Sequence, residues 1–172
     1  MLPGPRGRYD LDQAADPGPD AMMTASSGGA ALPQSTGLPN IPWAAIPLFQ
    51  SLKPAERESL RPLVRIRSYE EGHTIFREGE PALMFHFVLG GRVKIVKAAP
   101  SGGEVILEIF GPGDPVGAVA AYEERDFPAT SVALEATSLL SVPRQEFFAL
   151  LAGNPALARG LLLGLTRRSG EL

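Results

Sequence analysis

A mainly β domain with flanking helices, wound as a double-stranded β-helix or jelly roll (β-roll), is the fold class that the sequence predicts. Three observations carry it. Short runs of alternating apolar and polar residues recur at close spacing between Val64 and Val142, the period-2 signature of strands. Glycines punctuate these runs at Gly72, Gly79, Gly90-Gly91, Gly102-Gly103, Gly111 and Gly113, and closely spaced short strands joined by glycine turns close into a barrel or roll. Helical patterns appear on either side of this block, before Val64 and after Pro143.

Taken in order, residues 1–40 are rich in Pro, Gly, Ser and Ala with no apolar periodicity. Such a segment buries too little apolar surface to offset its ordering entropy, so it is expected to be disordered. The domain expected over residues 41–153 opens with IPWAAIPLFQSL, in which Trp43 is a core anchor. Pro54 fits a first helical turn, but Lys53 before it is a poor N-cap. Val64–Glu70 alternates Val64, Ile66 and Ser68 with Arg65, Arg67 and Tyr69, predicting a half-buried strand, and Thr74–Phe76 predicts a shorter one. Met84–Leu89 and Arg92–Lys97 flank Gly90-Gly91, which predicts a two-residue hairpin. Ser101-Gly102-Gly103 turns the chain into Glu104–Phe110, where Glu104 and Glu108 alternate with Val105, Leu107 and Ile109. Strands follow over Phe127–Ala136 and Ser138–Val142, then a helix from Pro143. Asn154-Pro155 is a good N-cap with Pro at the first helical position. In residues 154–172, Leu157, Leu161 and Leu165 make one apolar stripe widened by Leu162, with Gly160 and Gly164 on an adjacent line. This predicts a seam for pairing with a second copy.

Composition narrows the function classes. A length of 172 residues suits one domain with a full core. A net charge of −3 gives no basic footprint for nucleic acid. The absence of cysteine removes disulfides, thiolate chemistry, iron–sulfur ligation and cysteine zinc sites. No apolar run reaches the ~18 residues of a membrane span, and no basic-then-apolar leader opens the chain, so the expected location is the cytoplasm, with no membrane partner.

The stretch from Phe110 to Phe147 organises the chemistry. It carries Gly111, Gly113 and Gly117, then small residues at Ala118, Ala120, Ala121, Ala129 and Ala133. Small inward positions keep a β-structure open around a small ligand or a partner helix. Two prolines in Gly111-Pro112-Gly113-Asp114-Pro115-Val116-Gly117 remove N–H donors, and no Gly-Lys-Ser/Thr follows, so a phosphate-cradling loop is excluded. His73 and His86 are the only histidines, too few for a metal or haem site, and His86 between Phe85 and Phe87 fits a packed position. The acidic residues Glu70, Glu71, Glu78 and Glu80 fit solvated turns, and no Ser/His/Asp order or GxSxG is present. No enzyme, metal or cofactor is expected.

Several of these pieces resemble the N-terminal cyclic-nucleotide-binding domain of Crp/Fnr-type transcription regulators. The resemblance is carried by Gly72…Ile75-Phe76…Gly79-Glu80, by Phe87-Val88-Leu89-Gly90-Gly91-Arg92-Val93 and by Gly103-Glu104…Gly113-Asp114…Gly117. It covers Ile46 to Leu172, and residues 154–172 are similar to the start of the family's dimerisation helix. The resemblance implies an effector pocket formed by Gly117, Ala118, Val119, Arg125, Phe127, Pro128, Ala129 and Thr130, and a homodimer interface through Leu157, Gly160, Leu161, Gly164 and Leu165. Cyclic-nucleotide binders place Glu where this chain has Ala118, to hold the ribose, and Arg followed by Ser or Thr where it has Pro128-Ala129, to hold the phosphate. An anionic phosphate needs a charge-assisted partner that Pro does not provide. Arg125, three residues earlier, is the candidate substitute. The expectation is therefore an effector-sensing domain for an unidentified small molecule other than a cyclic nucleotide, or one bound only weakly. Such a domain would signal through the dimerisation helix and reach DNA only through a C-terminal helix-turn-helix domain absent from this chain. The alternative is a stand-alone domain of the same type that acts through protein–protein contacts.

Overall fold

The computed structural model of the chain describes residues 40–169; the tail expected to be disordered lies outside them up to residue 39, as do residues 170–172. After two short 3-10 turns, Trp43–Ala45 and Pro47–Ser51, come helix α1 (Pro54–Leu60) and strands β1 (Arg65–Tyr69), β2 (Thr74–Phe76), β3 (Met84–Gly90), β4 (Val93–Ala98), β5 (Glu104–Phe110) and β6 (Pro115–Val116). Helix α2 (Ala118–Tyr122), strands β7 (Thr130–Ala133) and β8 (Thr137–Pro143), and helices α3 (Arg144–Gly153) and α4 (Pro155–Ser169) complete it. The strands form two antiparallel four-stranded sheets, β1-β8-β3-β6 and β2-β7-β4-β5. Pairing is nested: β1 with β8, β2 with β7, β3 with β6 and β4 with β5. Further ladders join β3 to β8 and β4 to β7. This is the jelly roll expected from the sequence.

Two local expectations are corrected. Gly90-Gly91 is not a hairpin, because β3 and β4 belong to different sheets. The chain crosses between the sheets there, pressed onto the β7–β8 connection. A Cβ at Gly91, where φ is +77°, would stand 2.3 Å from the Ala136 carbonyl oxygen. The crossing is fastened by Thr137 Oγ1, which donates to the Arg92 carbonyl at 3.0 Å, and by the Arg92–Glu135 ion pair at 3.1 Å. The Ser101-Gly102-Gly103 turn, by contrast, does join paired strands: Gly102 N–H donates to Ala99 O and Ala99 N–H to Gly103 O, both at 3.0 Å. Nor is β1 the half-buried strand of the alternation. It is an edge strand with Ile66 37% exposed, and its inward anchor is Val64, buried just ahead of it.

The core draws on both sheets and the flanking helices, with Phe76, Val93 and Phe110 of the second sheet joining Phe87, Leu139 and Leu140 of the first. Phe49 packs edge-on to Phe87 with ring centroids 5.0 Å apart, Phe85 lies 4.4 Å from Phe147, and Trp43 anchors the end at 5.7 Å from Phe49. Burial of each such ring contributes roughly 1.5–3 kcal/mol. The weak cap at Lys53 is compensated by Glu56, whose carboxylate accepts the Lys53 backbone N–H at 2.7 Å. The same carboxylate accepts from Asn154 Nδ2 at 3.1 Å, while Asn154 Oδ1 accepts the Leu157 N–H at 3.0 Å. One buried side chain thus caps α4 and ties it to the start of α1.

Candidate functional site

An open groove of about 1330 Å³ runs between the second sheet, the Pro112–Pro115 loop, the start of α2 and the inner side of α4. The loop is built by backbone constraints. Asp114 Oδ2 accepts the Gly111 N–H at 2.8 Å, and Gly113 N–H donates to Val88 O at 2.8 Å, docking the loop on β3. A Cβ at Gly113 would meet Pro47 Cδ at 3.2 Å.

Gly117 then opens α2 in the left-handed region, at φ +69°. The Phe127 ring lies flush on it: a Cβ would stand 2.6 Å from Phe127 Cε1 and 3.2 Å from Phe76 Cζ. Phe127 and Phe76 are stacked with centroids 3.6 Å apart, and His86 continues the stack 5.7 Å from Phe76. His86 Nδ1 is hydrogen bonded to Ser141 Oγ at 2.7 Å. Burial, with the Arg67 charge second, lowers the His86 pKa from 6.5 to about 4, so the ring is neutral near pH 7. His73 lies elsewhere, its Nδ1 3.3 Å from Glu70 O. No cluster of metal-ligating side chains occurs among the described residues.

Of the residues expected in the pocket, Gly117, Ala118, Val119, Phe127, Pro128 and Ala129 line the groove together. Arg125 and Thr130 do not. Arg125 is exposed and paired with the Glu123 carboxylate. Thr130 Oγ1 accepts the Glu78 N–H at 3.0 Å, outside the lining. The cation at the rim is Lys97, which the sequence reading did not single out. Its Nζ donates to the Pro128 carbonyl at 3.2 Å and pairs with Glu78, also at 3.2 Å. Only the β4–β7 ladder, which carries Lys97 past Pro128, creates that proximity.

The residues of the expected seam on α4 also pack within the chain. Leu157 and Leu161 are buried in the domain's own core, 0% and 7% exposed, and Leu165 packs against it. A Cβ at Gly160 would touch Leu48 Cδ1 at 3.0 Å; the surroundings of Gly164 are outside the described side chains. Within the chain the stripe packs on its own domain; Leu162 is 63% exposed on the outward face, while Leu163, 49% exposed, lines the groove. Strand β5 also departs from alternation, with Val105, Ile106, Leu107 and Ile109 all exposed. It is an edge strand paired only with β4, and neither of its faces is covered by another layer among the described residues.

Two sheets wound into a roll, a small-residue cradle on a left-handed glycine and a helix laid across the opening define a ligand-binding type of β-roll. The sequence profile of the cyclic nucleotide-binding domain matches residues 66–154, and the chain belongs to that family. It is 32% identical over 125 residues to the cyclic AMP receptor protein of Thermus thermophilus, covering 73% of this chain and 58% of that protein. It is 29% identical over 121 residues to the CRP-like cAMP-activated global transcriptional regulator of Mycobacterium tuberculosis, covering 70% of this chain and 54% of that one. The chain thus spans little more than half the length of these curated relatives. Among solved structures, the sensor domain of the transcriptional regulator DNR from Pseudomonas aeruginosa superposes with a TM-score of 0.61 at 29% identity, covering 70% of this chain and 81% of that one. No single helix among the described residues is long and apolar enough to cross a membrane.

Proposed function

We propose that this chain is the effector-sensing part of a Crp/Fnr-type transcription regulator of the cytoplasm, that its groove takes a small molecule other than a cyclic nucleotide, and that α4 carries the signal. The observation that carries the reading is the floor of the groove. Ala118 and Pro128-Ala129 stand where cyclic-nucleotide binders of this family hold ribose and phosphate, and Arg125 is turned out to Glu123. Leu161 and Leu165 of α4 line the same groove, so an occupant touches roll and helix at once. The similarity to two regulators named for cyclic AMP supports the regulatory role. DNA contact would belong to a segment beyond the described domain, and self-association to the outward face of α4.

Calorimetry with cyclic AMP and cyclic GMP tests the ligand assignment. No binding tighter than roughly 100 μM is expected, about −5.5 kcal/mol. The triple substitution A118E/P128R/A129S, which installs ribose and phosphate partners, should gain it. Micromolar binding of either nucleotide by the unaltered chain would overturn the reading.

A further inference from the structure

We propose that Ser131 is the specificity-determining hydrogen-bond partner of the groove's ligand, met by a hydroxyl or carbonyl oxygen on an apolar end of that molecule. This rests on the effector reading above and names a group that the effector carries. Ser131 lies in β7 and is 0% exposed. Its Oγ has no hydrogen-bond partner among the described residues. A buried hydroxyl left without a partner costs stability, and few polar groups in native proteins stay so.

The strand register sets where that hydroxyl faces. Ser131 is paired with Phe76 of β2 on one side and with Ile95 of β4 on the other, and directly opposed residues share one face of a sheet. Phe76 and Ile95 both line the groove, as does Ala129, two residues earlier in the chain. Thr130, on the other face by alternation, takes the Glu78 N–H instead. Ser131 Oγ is thus turned toward the groove from just beneath its floor, between Phe76 and Ile95. These two covers are not held alike. Phe76 is 5% exposed and stacked on Phe127 at 3.6 Å and on His86 at 5.7 Å. Ile95 is only partly buried and packs at the margin of the core. A turn of the Ile95 side chain uncovers the hydroxyl. A ligand that enters there gains apolar contact with Phe76 and Phe87 and supplies the partner that Oγ lacks.

The test titrates the whole chain with two fluorescent probes, 1-naphthol and 1-methylnaphthalene, which differ by a hydroxyl against a methyl group of similar size. 1-Naphthol should bind saturably. In Ser131→Ala the ratio of the two affinities should move about 5-fold against 1-naphthol. The same variant should unfold at a higher urea midpoint with an unchanged slope, because a buried hydroxyl without a partner is gone. A serine bonded within the fold would give the opposite pair of results, a lower midpoint and an unmoved ratio. Ile95→Ala, which thins the cover over Oγ, should move the ratio about 3-fold in favour of 1-naphthol. An unchanged ratio in Ser131→Ala would overturn the proposal, as would a lowered midpoint in that variant. So would failure of 1-naphthol to saturate, or weakening of its binding as protein concentration is raised, which would assign the groove to a second copy. A cyclic AMP titration separates the two levels. If cyclic AMP displaces 1-naphthol the effector reading fails, whereas an unmoved ratio without such displacement sinks the Ser131 assignment alone.

Discussion

At Gly117 the absence of a methyl group decides what the cradle can be. The position combines a left-handed φ with a ring lying where a Cβ would project, so two costs act together: backbone strain and a clash with Phe127 that the Phe76 stack prevents from relaxing. Gly117→Ala is expected to lose about 2–4 kcal/mol of stability, read as a lower urea midpoint with an unchanged slope. A midpoint within error of the parent would show that Phe127 moves freely and is no fixed wall. The place of Gly117 in the pocket stretch was legible in the sequence. The reason for a glycine there was not, because the Phe127 ring reaches Gly117 only through the fold.

At the scale of elements, the ladder β1-β8-β3 brings Arg67, Ser141 and His86 together. His86 is kept neutral by burial first and by the Arg67 charge second, with its pKa at about 4 against 6.5 in the open chain. As pH falls below 6.5 the unfolded chain takes up a proton that the folded chain refuses. Stability is therefore full above that range and drains away down to about pH 4, by up to about 3 kcal/mol. His86→Gln should flatten this acid limb, seen by comparing urea midpoints at about pH 7 and about pH 5. An unchanged slope in the variant would place the titrating group elsewhere. Elements also show where local pattern misleads. The glycine pair at 90–91 carries the right turn chemistry, but turn chemistry does not say which strands pair, and here the chain changes sheets. The alternation in β5 is present in sequence, yet an edge strand with no layer over it among the described residues exposes both sets of side chains there.

Across the whole molecule, the fold class and the place of the cradle were legible because strand spacing, glycine turns and small residues are local signals. The face of α4 that meets its own domain was not, since an apolar stripe looks the same whether it meets its own roll or a second copy. With Leu157 and Leu161 buried, the self-association proposed above would fall to the outward face. Leu162→Glu should shift a concentration-dependent dimer toward monomer in sedimentation, whereas Leu161→Glu should instead destabilise the fold. An unaltered dimer in Leu162→Glu would place the contact elsewhere, with exposed β5 the next candidate.

The nested pairing has a consequence in time. The chain is a hairpin doubled over at Ala99–Gly103 and then wound up, so β4 and β5 can zip as soon as both exist, while Arg65 must wait for Ser141. During synthesis the first strands leave the ribosome long before their partners. Their backbone groups stay open to wrong pairing until β8 arrives, and such distant pairings are slow to form. Closure of the roll, and with it the seating of α3 and α4, comes last. The helix proposed to carry the signal is therefore also the one that reports that the strands before it have found their places.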